Sequence, residues 1–135
     1  MEVRIYYEDT DAAGVVYHAN YLKFFERART EYLRERGLSV SSLAESGYLF
    51  PVVRMEIDFK APALHDDLLS IVTIPERVTG SSLTFRQQAV RLVDGKLLVD
   101  STVTLACISP AYKARRIPTD VRQLLETECT QSAGC

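Results

Sequence analysis

The chain lacks any run of 18 or more apolar residues, so no segment of it is predicted to span a membrane. It also lacks the pattern of a secretory leader, because Arg4 is followed by tyrosines and acids rather than by an apolar stretch. These absences predict a cytoplasmic protein that reaches a membrane only through a partner. A formal net charge of -2 argues against wholesale nucleic-acid binding, which needs a basic face.

Several motifs of hydrolase and cofactor chemistry are missing as well. The sequence contains no GxSxG elbow, no GxxxxGK[ST] phosphate loop and no GxGxxG dinucleotide fingerprint. Its two histidines and three cysteines form no HExxH or CxxC pattern, so a zinc site is not expected. The protein is therefore predicted to work without a metal ion or an organic cofactor.

What the 135 residues do contain is the pattern of a single domain, residues 1–135. Alternating apolar residues predict a first strand over residues 1–7, and apolar residues at helical spacing predict a long helix that Asn20 caps and Gly37 ends. A short helix is predicted over residues 41–45 and a final helix over residues 119–128. Between them, four strands are predicted over residues 52–60, 68–74, 83–92 and 97–107. Residues 130–135 are expected to form a loose tail.

Finer features of the strands are also predicted. Pro75 indicates a bulge or an edge, and a phase slip in the apolar pattern predicts a β-bulge near residues 87–88. Cys107 falls on a strand pattern and is expected in the core, whereas Cys129 is expected to be exposed. Four consecutive strands with short connections indicate a mostly antiparallel sheet, and one long helix beside it makes an α+β domain.

Chemically active side chains crowd into residues 6–21, which read YYEDTDAAGVVYHANY. A loop carboxylate such as Asp9 or Asp11 beside a helix start can act as a general base or a nucleophile. Acidic residues are also common turn caps, so this pattern alone leaves both roles open. His18 fits proton transfer or substrate binding, and it equally fits a partly buried polar residue whose hydrogen bonds are satisfied.

The neighbours of these residues have two interpretations too. Tyr7 and Tyr17 could donate hydrogen bonds into a pocket, or they could pack at a seam between helix and sheet. Gly14 suits a close approach of the backbone to a ligand, and it equally suits an ordinary turn. Residue type and spacing do not decide between these interpretations.

The run VRIYYEDTDAAGVVYHANYLKFFERARTEYLRERG, residues 3–37, resembles the hotdog-fold acyl-CoA thioesterases of the 4-hydroxybenzoyl-CoA type. It is most similar to the Tol–Pal-system-associated acyl-CoA thioesterases of bacteria. Later segments agree with this resemblance, including FKAPA at residues 59–63. The resemblance implies a hotdog fold, in which a five-stranded antiparallel sheet wraps around one long central helix.

The same resemblance implies the roles of single residues. Asp11 matches the catalytic carboxylate, His18 matches a histidine that assists it, and Tyr7 matches a tyrosine that lines the pocket. The segment between and after them is expected to bind substrate, through Gly14, Val15, Tyr17 and Asn20. Backbone N–H groups at the start of the Asn20 helix would hold the oxyanion.

The implied reaction is hydrolysis of an acyl-CoA thioester, with Asp11 as general base or nucleophile. Acyl carrier protein is an alternative carrier of the thioester, and enoyl hydration or acyl binding without hydrolysis are alternative functions. The family also implies a homodimer with sites at the subunit interface, often assembled into a homotetramer, and a peripheral position at the inner membrane. The candidates for contacts to the CoA phosphates, each with a solvated surface charge as its alternative, are Arg54, Lys60, Arg86, Arg115 and Arg116.

Overall fold

A computed structural model describes residues 1–131 of the chain. Its elements in chain order are β1 (Glu2–Arg4), α1 (Asn20–Glu35), α2 (Val40–Glu45), β2 (Val52–Phe59), β3 (Leu68–Val78), β4 (Ser82–Arg91), β5 (Lys96–Ala106) and α3 (Thr119–Gln131). The strands form one five-stranded sheet in the order β1-β3-β4-β5-β2, and all neighbouring strands are antiparallel. The predicted α+β fold, an antiparallel sheet with one long helix, is confirmed.

The core lies between α1 and one face of the sheet. The apolar stripe of α1 is buried at the spacing predicted from the sequence, through Tyr21, Phe24, Phe25, Ala28 and Tyr32. It meets alternate side chains of the strands, among them Leu69, Ile71, Phe85, Ala89, Val99 and Val103. Burial of each large apolar side chain stabilises the fold by about 1.5–3 kcal/mol, so this face fixes the position of the helix.

Besides a register shift at the start of β2, between Val52 and Arg54, the sheet has two shifts further inside its strands. One follows Pro75, where the bulge predicted from the sequence is confirmed. The other comes from an extra residue in β5, Leu98, whose side chain is fully buried and whose carbonyl accepts the amides of Lys60 and Ala61. The bulge predicted at residues 87–88 is therefore wrong, because the slip in β4 reflects an extra residue on its partner strand.

The sequence predicted the C-terminal end of α1 correctly but not its N-terminal cap. Gly37 ends the helix as predicted, with a left-handed φ of 83° and with the amide of Leu38 bonded to the carbonyl of Leu33. The predicted N-cap is wrong, because Ala19 occupies that position and Asn20 is the first helical residue. The side-chain amide of Asn20 instead donates to the carbonyl of Asp9 at 3.0 Å, which ties the helix to the preceding loop.

The two ends of the chain also differ from the prediction. β1 has only three residues, because Tyr7–Asp9 form a short 3₁₀ turn. α3 continues to Gln131, so residues 130 and 131 are helical rather than part of a tail, and residues 132–135 lie outside the described residues. Cys107 is buried as expected, but Cys129 is also buried, on the inner face of α3, and its predicted exposure is wrong. Within residues 1–131, no helix combines the length and the apolarity that a membrane crossing requires.

Candidate active site

A cleft of about 330 Å³ opens beside the first turn of α1. Three parts of the chain form its walls: the loop before α1, the start of α1, and the end of β2 with the residues that follow it. The lining residues are Asp11, Val15, Val16, His18, Tyr21, Phe59, Lys60, Ala61 and Pro62. The fold therefore brings together three residues predicted from the sequence, Asp11, Val15 and His18, at one end of the sheet.

Asp11 sits on a tight turn that presents its carboxylate to the cleft. The Asp11 carbonyl accepts the amide of Gly14 at 2.9 Å, and the Asp11 amide donates to the Val15 carbonyl at 2.9 Å. One carboxylate oxygen, Oδ1, accepts the amide of Ala13 at 2.8 Å. The other oxygen, Oδ2, has no hydrogen-bond partner among residues 1–131, so it is available to a ligand. Gly14 makes this turn possible through a left-handed φ of 79°.

Asp9 has a supporting role in the same loop. Its carboxylate accepts the amide of Tyr6 at 2.9 Å, and its carbonyl accepts the amide of Tyr17 at 2.9 Å. Buried Val16 then anchors the loop, because its amide donates to the carbonyl of Ala63 at 2.9 Å. Of the two aspartates that the sequence pattern left open, Asp9 caps a turn and Asp11 faces the cleft.

His18 stands between two aromatic side chains at the mouth of the cleft. Its ring lies 4.6 Å from the ring of Tyr17 and 6.2 Å from that of Phe59, with the latter pair edge-on at 84°. Contacts of this kind orient the imidazole while leaving it exposed to solvent. An imidazole in this position can donate or accept a proton in the cleft that Asp11 also lines.

Comparison with known proteins identifies the family. Residues 13–98 match the family model described as the thioesterase superfamily. The chain belongs to the thioesterase superfamily. The acyl-CoA thioester hydrolase YbgC of Escherichia coli O6:H1 is 43% identical over 120 residues, with 88% of this chain and 89% of that protein covered. The acyl-CoA thioesterase YbgC of Haemophilus influenzae is 48% identical over 107 residues, with 78% and 77% covered.

A solved structure extends the agreement to three dimensions. The probable thioesterase from Bartonella henselae superposes with a TM-score of 0.82 at 41% identity, and the alignment covers 87% of this chain and 97% of that one. The acyl-CoA thioesterase family and the hotdog fold predicted from residues 3–37 are thereby confirmed, whereas the association with the Tol–Pal system stays a prediction. The family match begins at residue 13, two residues after Asp11, so the role of Asp11 stays a prediction.

The remaining predicted substrate-binding residues of this thioesterase do not line the cleft within a single copy of the chain. Tyr7 is 79% exposed and packs edge-on against His65, with 6.0 Å between ring centroids. Tyr17 contacts the imidazole of His18, and Gly14 shapes the turn under Asp11. The backbone amide of Asn20, expected at the oxyanion, donates to the Tyr17 carbonyl at 2.9 Å and is therefore engaged in a turn.

Two of the candidate phosphate-binding cations lie on the outer face of the sheet, away from α1. Arg54 forms an ion pair with Glu56, and Arg86 makes two hydrogen bonds to Asp100 at 3.0–3.1 Å. The bond to Arg86 is the main cause that lowers the pKa of Asp100. A groove of about 690 Å³ runs along this face, and its polar lining comes from the Arg54–Glu56 pair, from Glu76 and Arg77, and from three threonine hydroxyls.

The other three candidates have different surroundings. Lys60 lines the cleft beside Phe59. Arg115 donates to the carbonyl of Gly47 at 2.8 Å and stacks 3.8 Å from the centroid of Tyr48, so it holds the end of α2. Arg116 is exposed on the loop that precedes α3. Among the described residues, Lys60 alone of the five candidates lines the cleft.

Sequence reasoning assigned two of the cleft residues to packing only. Tyr21 belongs to the apolar stripe of α1 and is 3% exposed, and burial is the main cause that raises the pKa of its hydroxyl. Phe59 ends the inward-facing pattern of β2, and it is 51% exposed although its ring lies 5.8 Å from that of buried Tyr21. A large apolar residue at the last position of an edge strand is the signal that could have pointed to the cleft.

A buried polar contact behind the cleft was also missed. Arg29 of α1 is 9% exposed and donates to the side-chain oxygen of Gln87 on β4 at 3.0 Å. Gln87, which is fully buried, donates in turn to the carbonyl of Phe25 at 2.9 Å and to the hydroxyl of Thr73 at 3.0 Å. Burial is the main cause that lowers the pKa of Arg29. This contact fixes the rotation and height of α1 over the sheet, and so the position of its first turn at the cleft.

Proposed function

We propose that this protein hydrolyses acyl-CoA thioesters, with the Asp11 carboxylate as general base or nucleophile and His18 as its assistant. The observation that carries the proposal is the convergence of Asp11 and His18 on one cleft in a chain of the thioesterase superfamily. The relatives named as acyl-CoA thioesterases support CoA as the thiol carrier.

The chemistry has two routes that end in the same products. As a base, Asp11 takes a proton from water while the hydroxyl oxygen adds to the thioester carbon. As a nucleophile, its free Oδ2 adds to that carbon, and water then opens the resulting anhydride. In both routes the carbon–sulfur bond breaks, the thiolate leaves and takes a proton, and the acyl group becomes a carboxylate. His18 is placed to orient the water or to protonate the departing sulfur.

The negative charge that develops on the thioester oxygen would lie at the N-terminal end of α1. His18 and Tyr21, both at that end, line the cleft. The amide of Tyr21 donates to the His18 carbonyl over a long distance of 3.4 Å, so this donor is weakly engaged and available to an oxyanion. The positive end of the helix dipole adds to the same effect.

The test is thiol release from a panel of acyl-CoAs by the wild type, Asp11→Asn and Asp9→Asn. We expect Asp11→Asn to lose about 10²–10⁴ in kcat, since it removes the base and nearly preserves the shape. Asp9→Asn should stay within a few-fold of the wild type, because Asp9 supports a turn. Blanks without substrate account for reaction of the cysteines with the reporter.

Equal rates for Asp11→Asn and the wild type would refute the role of Asp11. Failure of the wild type to release thiol from any acyl-CoA would refute CoA as the carrier. Thioesters of acyl carrier protein would then be tested in the same assay, since that alternative carrier uses the same bond chemistry.

We also propose that two copies of the chain associate along β2. This strand is at the edge of the sheet, its outer edge has no partner strand among the described residues, and it exposes Val53 and Phe59 at 61% and 51%. Unpaired edges of this kind favour association with another strand. Light scattering at micromolar concentration should give a dimer or a multiple of it, and a monomer mass would contradict the proposal.

A further inference from the structure

We propose that a second cavity, between α1 and α2, binds a small monocarboxylate, with its carboxylate on the buried guanidinium of Arg29 and its short tail against apolar side chains. Binding at this site does not depend on the chemistry of the Asp11 cleft. Only the source of the ligand rests on the proposed function, since hydrolysis of a short acyl-CoA releases an acid of this class.

The cavity, called the α2 cavity below, has a volume of about 100 Å³ and lies between α1, α2, the start of α3 and the inner face of the sheet. It shares no lining residue with the Asp11 cleft. Arg29 follows Tyr21 of the cleft by eight positions on α1, which corresponds to about 12 Å along the helix axis. Most of the wall is apolar, and its side chains include Leu33, Val40, Leu43, Phe50, Leu83 and Phe85.

Arg29 is the one cation that lines the α2 cavity among the described residues, and it is only 9% exposed. Its side chain makes one hydrogen bond within residues 1–131, from Nη1 to the neutral amide oxygen of Gln87 at 3.0 Å. No carboxylate in the same part of the chain forms an ion pair with it. A guanidinium has five N–H donors, and burying its charge without an anionic partner is unfavourable. A carboxylate that accepts two of these donors would supply the missing partner.

Glu26 does not fill this role. It also lines the α2 cavity, and its charge favours the charged form of Arg29. Its side chain is exposed, however, and its Oε1 accepts the hydroxyl of Thr30 at 3.4 Å. Glu26 therefore leaves Arg29 available, and its negative charge disfavours a ligand that has a second carboxylate.

The volume of the α2 cavity sets the length of the ligand. An apolar cavity of about 150 Å³ accommodates the six carbons of benzene, so one of this size accommodates about four. The hydroxyl of Thr30 is engaged with the Glu26 carbonyl at 3.2 Å, so the wall offers the tail of the ligand little besides apolar contact. Butyrate, which has a carboxylate and a tail of three carbons, meets both conditions.

A groove between α1 and α2 connects the α2 cavity to solvent. The groove has a volume of about 290 Å³ and shares three lining residues with the cavity, Glu26, Thr30 and Val40. Val40 is the first residue of α2 and is 39% exposed. A small acid therefore has a route to Arg29 along the N-terminal end of α2.

The first test follows the methyl signals of the wild type by NMR during titration with butyrate at pH 7 and constant ionic strength. Leu33, Leu43 and Leu83 should shift together with a Kd on the order of 1 mM, as suits a ligand of about six non-hydrogen atoms. Val15 and Val16 report separately on the Asp11 cleft. The uncharged 1-butanol, the tail-less formate and the dicarboxylate succinate should each bind at the α2 cavity at least about tenfold more weakly.

The second test uses two variants that act on different parts of the site. Arg29→Met should weaken butyrate binding at least about tenfold, whereas Arg27→Met, at an exposed cation of the same helix, should not. Leu43→Phe fills part of the α2 cavity and should abolish binding, whereas Leu92→Phe makes the same change at an exposed leucine outside it. Dispersion of the methyl signals checks the fold. Leu43→Phe keeps the bond between Arg29 and β4, so it decides the question even if Arg29→Met fails to fold.

The outcomes separate this proposal from the thioesterase function. Shifts confined to Val15 and Val16, or unchanged butyrate affinity in Arg29→Met or Leu43→Phe, would overturn the carboxylate site. Equal affinities for butyrate and 1-butanol would overturn the role of the Arg29 charge, and equal affinities for butyrate and formate would overturn the contact with the tail. The titration contains no thioester, so a wild type that hydrolyses no acyl-CoA would refute the proposed function and leave the binding result unaffected.

Discussion

Replacing Gln87 by leucine tests whether the buried polar contact, beyond apolar packing, holds α1 on the sheet. The change removes one hydrogen bond accepted from Arg29 and two donated to α1 and β3, all at 2.9–3.0 Å. A hydrogen bond to a charged group contributes about 1.5–3 kcal/mol and a neutral one about 0.5–1.5 kcal/mol. The apolar leucine offsets about 1–2 kcal/mol of this loss. We expect the free energy of unfolding to fall by about 3 kcal/mol.

Urea denaturation followed by circular dichroism, at one fixed protein concentration, measures this difference. Gln88→Leu is the matched control, because Gln88 faces the other side of the sheet and makes one long bond of 3.3 Å to Asp100. Adding Arg29→Met to Gln87→Leu should restore part of the stability, since no buried charge then lacks a partner. A loss below about 1 kcal/mol for Gln87→Leu, or no recovery in the double variant, would refute this reasoning.

Two further predictions concern Tyr32 and Gly14. Burial is the main cause that raises the pKa of Tyr32 to about 12, so the wild type should lose up to roughly 2–3 kcal/mol of stability as pH rises from 10 towards 12. Tyr32→Phe should lack this loss, and equal declines in urea midpoint for both proteins would contradict the prediction. Gly14→Ala should cost about 1–2 kcal/mol and lower kcat, because its φ of 79° underlies the turn at Asp11. Gly95→Ala, at a φ of 70° in the β4–β5 hairpin, should lower the stability measured by thermal unfolding by the same amount without changing kcat. Equal losses of activity in Gly14→Ala and Gly95→Ala would contradict a specific role of Gly14 in positioning Asp11.

The main elements were predictable because their causes are local. Helical spacing identified α1, strict alternation identified β2, and Gly37 and Pro75 marked a helix end and a bulge through their own backbone limits. The wrapping of the sheet came from the family resemblance rather than from these patterns. The predictions of α1, β2, the helix end and the bulge depended only on residues close in sequence, and the structure contains all four features.

The features that sequence reasoning missed depend on residues distant in sequence. The extra residue Leu98 lies in β5, but the break in apolar alternation that it causes is visible only in β4. The sequence of one strand does not show which of two paired strands contains the extra residue. Arg29 pairs with Gln87 across 58 positions, so its place on α1 looked like that of any solvated cation. Asn20 resembles a cap, yet its acceptor is the carbonyl of Asp9, which only the folded loop supplies.

The two aspartates of the candidate site, two positions apart in the sequence, differ in what their carboxylates contact. Asp9 fixes the loop that carries Asp11, because one of its carboxylate oxygens accepts the Tyr6 amide and its carbonyl accepts the Tyr17 amide and the Asn20 side chain. Asp11 keeps one oxygen open towards the cleft, and buried Val16 ties the loop to the core. A carboxylate presented in this way needs no reorganisation before reaction, which is the condition for efficient catalysis.

The position of β2 links this chemistry to assembly. Phe59 at its end lines the cleft, while Val53 near its start is exposed on the edge along which we propose that two copies join. Pairing along this edge would close one side of both clefts. The cleft of an isolated copy is then incomplete, although its Asp11 turn is fully formed. Activity should therefore depend on protein concentration where the dimer dissociates, because one copy builds the Asp11 turn and pairing would close the cleft beside it.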